Sequence, residues 1–442
     1  MPLRDENTRK GVSMVAKGVT NVNQQKDSLG NPLDPIVGYA RGRILKSSVE
    51  ETLRHSYAKA LVRKRMLEKG RDSFFNFTGH RRNYLVSPEQ IPNGEEWVGP
   101  AAYWQEIEDM ARDQFGGNKQ HEVAVFNRAT AGIVATCLAL VNPESYVVSV
   151  IPGARSHPSI IRGVQMAGAK ILPVRTPDQL DQSFSSQSIS LVVITGVNSE
   201  LEVIDQDLLL KAIRAGKSRN IPVFLDDAYG TRLRPIIFGQ PKTMQTGADL
   251  GITACDKAGM SGPRAGLMVG RADLMEKIIS KAAELGLEAR SPIALGVWAS
   301  LREFDPEHLR QEVEYGKQIY HAACERFGPD RVKKSPIGAS FSAETICEMI
   351  YQIRPRAKET VLVPAEITAG LGMHWLGRYG IITVNALGQP GASIWLRLKP
   401  NPAELDRFGG VKRLMDTLED SLSIISEKAC SLEEMKFLIL GA

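Results

Sequence analysis

The 442-residue sequence predicts an α/β fold, a mostly parallel sheet with helices on both faces, followed by a smaller α+β unit. Two observations carry this expectation. From about residue 100 to 285, short apolar runs (HEVAVF, SYVVSVI, KILPV, SLVVITG, IPVFLDD, LGITACD, AGLMVG) alternate with helical stretches such as TAGIVATCLALV and HPSIIRGVQMAGA. Continuous apolar strands of this kind belong to parallel sheets buried on both faces. From about residue 290 to 442 the alternation gives way to long helical patterns, with a strand pair expected near ITVNALG and SIWLRL.

Ahead of the sheet, residues 1–99 have a different character. Residues 1–34 are polar and suit a mobile lead-in or a segment ordered by a partner subunit. A strongly basic helix is expected from about Ser48 to Lys69, then an irregular aromatic stretch, then a helix from Ala101 to Phe115 with Tyr103, Ile107 and Met110 on one face. Residues 1–70 hold 14 Lys and Arg against 7 Asp and Glu, whereas the rest of the chain is slightly acidic. A basic element of this kind is either a solvated helix face or a surface for an anionic partner such as tRNA.

Composition excludes several classes. With 43% hydrophobic and 24% charged residues the chain is that of an ordinary globular protein. No run of 18 apolar residues marks a transmembrane helix, and the N-terminus lacks an apolar leader, so a cytoplasmic protein is expected. The five cysteines include no CxxC pair, so neither a disulfide framework nor a zinc ribbon is indicated, and no metal is expected.

In open α/β sheets the ligand sits beyond the carboxyl ends of the strands, so what each strand delivers there decides the function. HEVAVF ends at Asn127 and Arg128, and Ala129 and Thr130 then open a helix whose free amides suit a phosphate; the alternative is a plain N-cap by Thr130. SYVVSVI leads to His157 at another helix start, where an imidazole can lie on a flat ring. SLVVITG ends at Asn198, either a donor to a cofactor oxygen or a turn former. IPVFLDD ends in Asp226 and Asp227, two carboxylates that need a partner in an apolar setting. A protonated pyridine nitrogen is such a partner. The Asp226-x-x-Tyr229 spacing favours Asp226 over Asp227 and brings a phenol to the same ring; a shared metal is the alternative. LGITACD ends at Asp256 and Lys257, before a loop with three glycines. Burial there lowers a lysine's pKa and makes it nucleophilic toward an aldehyde.

These residues resemble those of the fold-type I pyridoxal-phosphate (PLP) enzymes over about residues 75–400. Arg128-Ala129-Thr130-Ala131 is similar to the Gly-Ala-Thr-Glu phosphate turn of cysteine desulfurases and aminotransferases, with Arg128 in place of Gly and Ala131 in place of Glu. His157 matches the ring-stacking histidine of the desulfurases, and Val197-Asn198-Ser199-Glu200 their Val-Asn-Asn-Glu. Lys257 matches the Schiff-base lysine, with Asp256 where a histidine is usual. The strings DDAYGTRLRP and TACDKAGMSGPRAGLMVG look most like bacterial selenocysteine synthase (seryl-tRNA selenium transferase) and its archaeal homologues.

The resemblance implies PLP bound by Ala129, Thr130, His157, Asn198, Asp226, Tyr229 and Lys257, with Lys257, Asp226 and His157 as the catalytic set. It implies an amino-acid substrate taken up as an external aldimine, loss of its Cα proton to Lys257, and β-elimination or β-replacement. Aminotransferase, aldolase and cysteine desulfurase reactions are the rivals, with a tRNA-binding relative as a different class. Arg397 in SIWLRLKP is the first candidate for the substrate carboxylate and Arg264 the second. His80, Arg81 and Arg82 are further candidates, or else partners of acidic surface groups. Cys255 is expected to be an inert strand cysteine. A homodimer or larger homo-oligomer is implied, and no membrane.

Overall fold

In the computed structural model, residues 25–153, 155–185 and 188–442 are described. Their strands, in chain order, are β1 (Phe75–Asn76), β2 (His121–Phe126), β3 (Tyr146–Val150), β4 (Lys170–Val174), β5 (Ile189–Thr195), β6 (Val223–Asp226), β7 (Leu250–Ala254), β8 (Gly266–Arg271), β9 (Lys333–Ser335), β10 (Gly338–Phe341), β11 (Ile381–Ile382) and β12 (Leu396–Leu398).

Seven of them form the central sheet in the order β2-β8-β7-β6-β5-β3-β4. The β4, β3, β5, β6 and β7 neighbours are parallel, and β8 runs antiparallel to both β7 and β2. Each of β5, β6 and β7 is buried almost throughout, because helices cover both faces. One core unites the helices Ala129–Leu140 and Ala272–Leu285 with one face of the sheet, through Ile133, Val193, Ile252 and Ile278. Another joins the opposite face to the helix Gln206–Lys217 through Val148, Ile194 and Leu209. Gly132 lets the helix Ala129–Leu140 approach closely, since a Cβ there would lie 2.5 Å from Ile252 Cδ1.

The smaller unit packs the helices Pro306–Phe327, Ala343–Ile353, Pro364–Tyr379 and Gly410–Lys428 around a three-stranded antiparallel sheet, β12-β10-β9. Here the expected strand pair is corrected. Ile381–Ile382 pairs in parallel with β1, Val384–Leu387 is a helical turn, and Leu396–Leu398 pairs with β10. Strand β10 reads Gly-Ala-Ser-Phe and is buried throughout, so no apolar–polar alternation announces it.

The basic helix spans Ser48–Lys69. It begins with a capping box in which Ser47 and Glu50 satisfy each other's backbone amides. The expected Ala101–Phe115 helix begins at Trp104, after a 3-10 turn at Gly99–Ala102. Residues 1–24 lie outside the described part, but the remainder of the expected lead-in is held by the chain itself. Lys26 bridges to Pro32, Leu33 bridges to Ala40, and Arg41 pairs with Asp34 at 2.9 Å and with Glu51 at 2.7 Å. Among the described residues no helix is long and apolar enough to cross a membrane.

Candidate active site

A cavity of about 620 Å³ opens at the carboxyl ends of the sheet strands, within the range that suits a cofactor with a small substrate. One wall is made by the strand ends. The other is made by residues 37–39, by Thr78, His80 and Arg82, and by the stretch from Ile382 to Lys399.

Beyond β2 the residue before the helix is Arg128, whose side chain does not cap it. Thr130 is therefore not the N-cap; its hydroxyl is 2.9 Å from Ser159 Oγ. The Ala131 and Gly132 amides bond to Arg128 O. Those of Ala129 and Thr130 come first in the helix, have no acceptor within it, and lie at the cavity. Beyond β3, His157 caps the helix Pro158–Met166, and its Nδ1 accepts from the Ser159 amide at 3.2 Å. Burial, then Lys257 and three arginines, push its pKa down to about 3, so the ring is neutral with its proton on Nε2.

The two carboxylates beyond β6 have separate fates. Asp227 is wholly buried and fully used: Oδ1 accepts from Arg234 Nε at 3.0 Å, and Oδ2 accepts from Arg234 Nη2 and from Thr243 Oγ1, the latter at 2.8 Å. Asp226 faces the cavity with one long bond from the Ala228 amide, 3.3 Å. Burial raises its pKa to about 6 despite the opposing charge of Lys257. The engagement of Asp227 with Arg234 removes the shared-metal alternative. Tyr229 is buried with its hydroxyl unpartnered, and burial raises its pKa; the Ala258 amide faces it without closing a hydrogen bond.

Lys257 follows β7, the strand next to β6, and burial lowers its pKa against the attraction of Asp256 and Asp226. Its loop is fastened by Arg232, a buried side chain that sequence reasoning missed. Arg232 Nη2 donates to Ala254 O at 2.6 Å and to Lys257 O at 3.0 Å. The only local signal for it was an arginine in the short helix Gly230–Phe238, which also carries Arg234. Cys255 is inaccessible, and burial pushes its thiol up to about 12.

Other expected residues fall out differently. Asn198 borders the cavity, but its amide donates to Pro152 O at 2.8 Å and to Glu202 Oε2 at 2.7 Å, while its oxygen accepts from the Glu200 and Glu202 amides. It forms the turn, and both its amide hydrogens are spent there rather than left for a cofactor oxygen. Arg397 is 8% exposed, donates through Nη1 to Ser199 O, and leaves Nε unpaired. Arg264 is exposed at the rim beside Arg128 and Arg82, where partial desolvation of its guanidinium and then those cations lower its pKa to about 10. His80 lines the cavity, and burial with Lys399 and Lys257 nearby holds its pKa well below the usual range. Arg81 does not line it: it turns away to Glu312, at 2.9 Å, as the ion-pair alternative had it, though Glu312 is buried rather than on the surface. Arg82 does line the cavity and holds Asp256 at 2.8 Å. Lys399 was missed, although the quoted SIWLRLKP contains it. It stands two residues beyond Arg397 in an extended chain, and so on the same face.

Comparison with known proteins supplies the family. The model of aminotransferase class I and II matches residues 97–318, half of the chain. A protein of Methanothermobacter thermautotrophicus, described as a UPF0425 pyridoxal phosphate-dependent protein, is 31% identical over 401 residues, which is 90% of this chain and all of that one. The chain belongs to the UPF0425 pyridoxal phosphate-dependent family. Pyridoxal phosphate is accordingly its cofactor. Among solved structures, N-succinyldiaminopimelate aminotransferase of Mycobacterium tuberculosis is 16% identical with a TM-score of 0.54, covering 82% of this chain and 96% of that one. A SepCysS–SepCysE N-terminal domain complex gives 12% identity and a TM-score of 0.53, with 80% and 95% covered. At these identities the likeness is of fold, the fold-type I architecture.

Proposed function

We propose that the cavity holds pyridoxal phosphate on Lys257 and acts on an amino acid, taking its Cα proton and then expelling or exchanging a group at Cβ. The observation that carries this is the placement of Lys257 and Asp226 at the ends of adjacent strands, across from an open helix start. The unpaired polar groups of the cavity fit the cofactor one by one. The free Ala129 and Thr130 amides suit the phosphate, Asp226 with its single weak bond suits a protonated ring nitrogen, and the orphaned Tyr229 hydroxyl suits the ring 3-oxygen.

Bound there, the cofactor supplies an aldehyde for amines and an electron sink for the electrons left at Cα. The chain's own residues do the rest. Lys257 Nζ, its pKa lowered by burial, is the nucleophile that anchors the cofactor and afterwards the base that takes the Cα proton. Asp226 keeps a positive charge on the ring nitrogen once that charge is present to be paired. His157, neutral and held by the Ser159 amide, offers a flat face without adding charge. Arg397 holds the substrate carboxylate through its unpaired guanidinium edge. Asn198 fixes the loop that presents Ser199 O to Arg397. The likeness of DDAYGTRLRP and TACDKAGMSGPRAGLMVG to selenocysteine synthase supports β-replacement or β-elimination over transamination.

The test is to mix the purified holoprotein with amino acids bearing a leaving group at Cβ and to assay products. Pyruvate with ammonia, or a β-substituted amino acid when a thiol or selenol is added, is the expected result. Accumulation of pyridoxamine phosphate would replace this reading with transamination.

A further inference from the structure

The cavity carries more positive charge than the cofactor and a simple amino acid balance. Among the described residues, eight basic side chains and four carboxylates line it, an excess of four positive charges. A phosphate monoester supplies about two negative charges, and a substrate α-carboxylate one more. The charge lost when Lys257 is consumed in anchoring the cofactor is returned by protonation of the ring nitrogen. One cation is still without a counterpart.

The most deeply buried of the eight is Lys399. The residue is 2% exposed, and no carboxylate among the described residues forms an ion pair with it. Glu312, the nearby acid, is engaged with Arg81 at 2.9 Å. The aliphatic stem is clamped in place: a Cβ at Gly79 would lie 3.1 Å from Lys399 Cβ and Cε, and one at Gly338 would lie 3.4 Å from its Cγ. The ammonium is thereby held 5.3 Å from the centre of the Tyr229 ring, at the cavity and on the same strand face as Arg397. Its neighbours include two further cations, Arg397 and Lys257. A buried ammonium among cations is costly unless an anion enters between them.

We propose that Lys399 binds a second anionic group, a phosphate, sulfonate or carboxylate carried on the side chain of the amino-acid substrate. This rests on the amino-acid chemistry proposed above and adds its substrate class. Arg397 takes the α-carboxylate and Lys399 the side-chain anion, so the substrate is recognised at two points as a doubly charged amino acid. Burial and the surrounding cations push the Lys399 ammonium well below the usual lysine range, and a bound anion restores it.

The test is equilibrium titration of the holoprotein, read by the absorbance change of the bound cofactor rather than by turnover. The probes are L-alanine, L-aspartate, L-cysteate and O-phospho-L-serine. At least one of the three doubly charged amino acids is expected to bind about tenfold or more tightly than L-alanine. Lys399→Met is expected to bring that ratio toward one, and Lys399→Arg to retain part of it, with circular dichroism and thermal melting confirming that both variants fold. Equal affinity for L-alanine and all three anionic probes overturns the proposal without any variant being made. A preference that survives Lys399→Met in a folded protein also overturns it. If L-alanine shifts the spectrum, the amino-acid chemistry stands whichever way the ratio falls; if no amino acid shifts it, both readings fall.

Discussion

The two walls of the cavity are built on different principles. The strand-end wall rests on a continuous hydrogen-bonded ladder, and its functional groups are held from within the same α/β unit: His157 by Ser159, Asp226 by Ala228, and the Lys257 loop by Arg232, 25 residues before it. Beneath it lies the buried Asp227–Arg234–Thr243 network. The facing wall is assembled from segments hundreds of residues apart. Glu51 accepts from Tyr39 and Arg41, Tyr39 Oη in turn accepts from the Gly391 amide at 3.2 Å, Arg54 donates to Asn385 O at 2.9 Å and to Gly388 O at 3.0 Å, and Thr78 bridges to Lys399. The first wall supplies the chemical groups. The second supplies Arg82, Arg397, Lys399 and shape, and it exists only when the whole chain is folded. On the function proposed above, reaction type resides on the first wall and substrate choice on the second.

The largest effect expected of this division is at Lys257. Lys257→Ala should remove covalent cofactor binding and lower turnover by on the order of 10³-fold or more, while the circular dichroism of the protein stays native. A variant with near-wild-type turnover would move the chemistry off the strand-end wall.

Next is the support beneath that wall. Asp227→Asn leaves Arg234 buried without its counter-charge and should cost about 3–5 kcal/mol of stability in denaturant unfolding. A loss below about 1 kcal/mol would mean that the network is not what stiffens the wall.

Smaller again is a pH effect in the cofactor-free protein. The Asp226 pKa is raised to about 6 from an ordinary 3.8, so between those values the folded state binds more protons than the unfolded chain. The penalty from this group is absent below pH 4 and complete above about 6. Apo Asp226→Asn should therefore gain up to about 3 kcal/mol relative to the apo wild type as pH rises from 4 to 7. A difference that is flat with pH would place Asp226 in a more solvated setting.

The smallest effect belongs to the assembled wall. Ser47→Ala removes the cap of the helix Ser48–Lys69 and should cost about 1 kcal/mol. Because Glu51 and Arg54 of that helix hold the 37–45 and 385–391 segments, it should weaken amino-acid binding more than cofactor binding. Equal weakening of both would show that the walls are not separable.

The same contrast explains what the sequence made legible. A mostly parallel sheet could be anticipated because each buried strand is a local apolar run; Asp226 and Lys257 stood out because they end or closely follow such a run, and His157 because it opens the helix after one. Asn198 could not be resolved, since a turn former and a ligand donor look alike until the partners of the amide are known. Arg81 and Arg82 are neighbours in an extended stretch and point opposite ways, so only the fold assigns one to Glu312 and the other to the cavity. Lys399 went unnoticed because its setting depends on Gly79, Gly338 and Tyr229, three residues from three separate stretches of chain. Strand β10 was missed because small buried residues carry no periodic signal.

The most direct test of the account is to fix the cofactor in place and find where it is attached. The holoprotein would be reduced with borohydride, digested, and the phosphopyridoxyl-bearing peptide sequenced by mass spectrometry. The account predicts the modification on Lys257, in the peptide that follows Asp256. Modification of Lys399, the other lysine of the cavity among the described residues, or of neither residue, would contradict it.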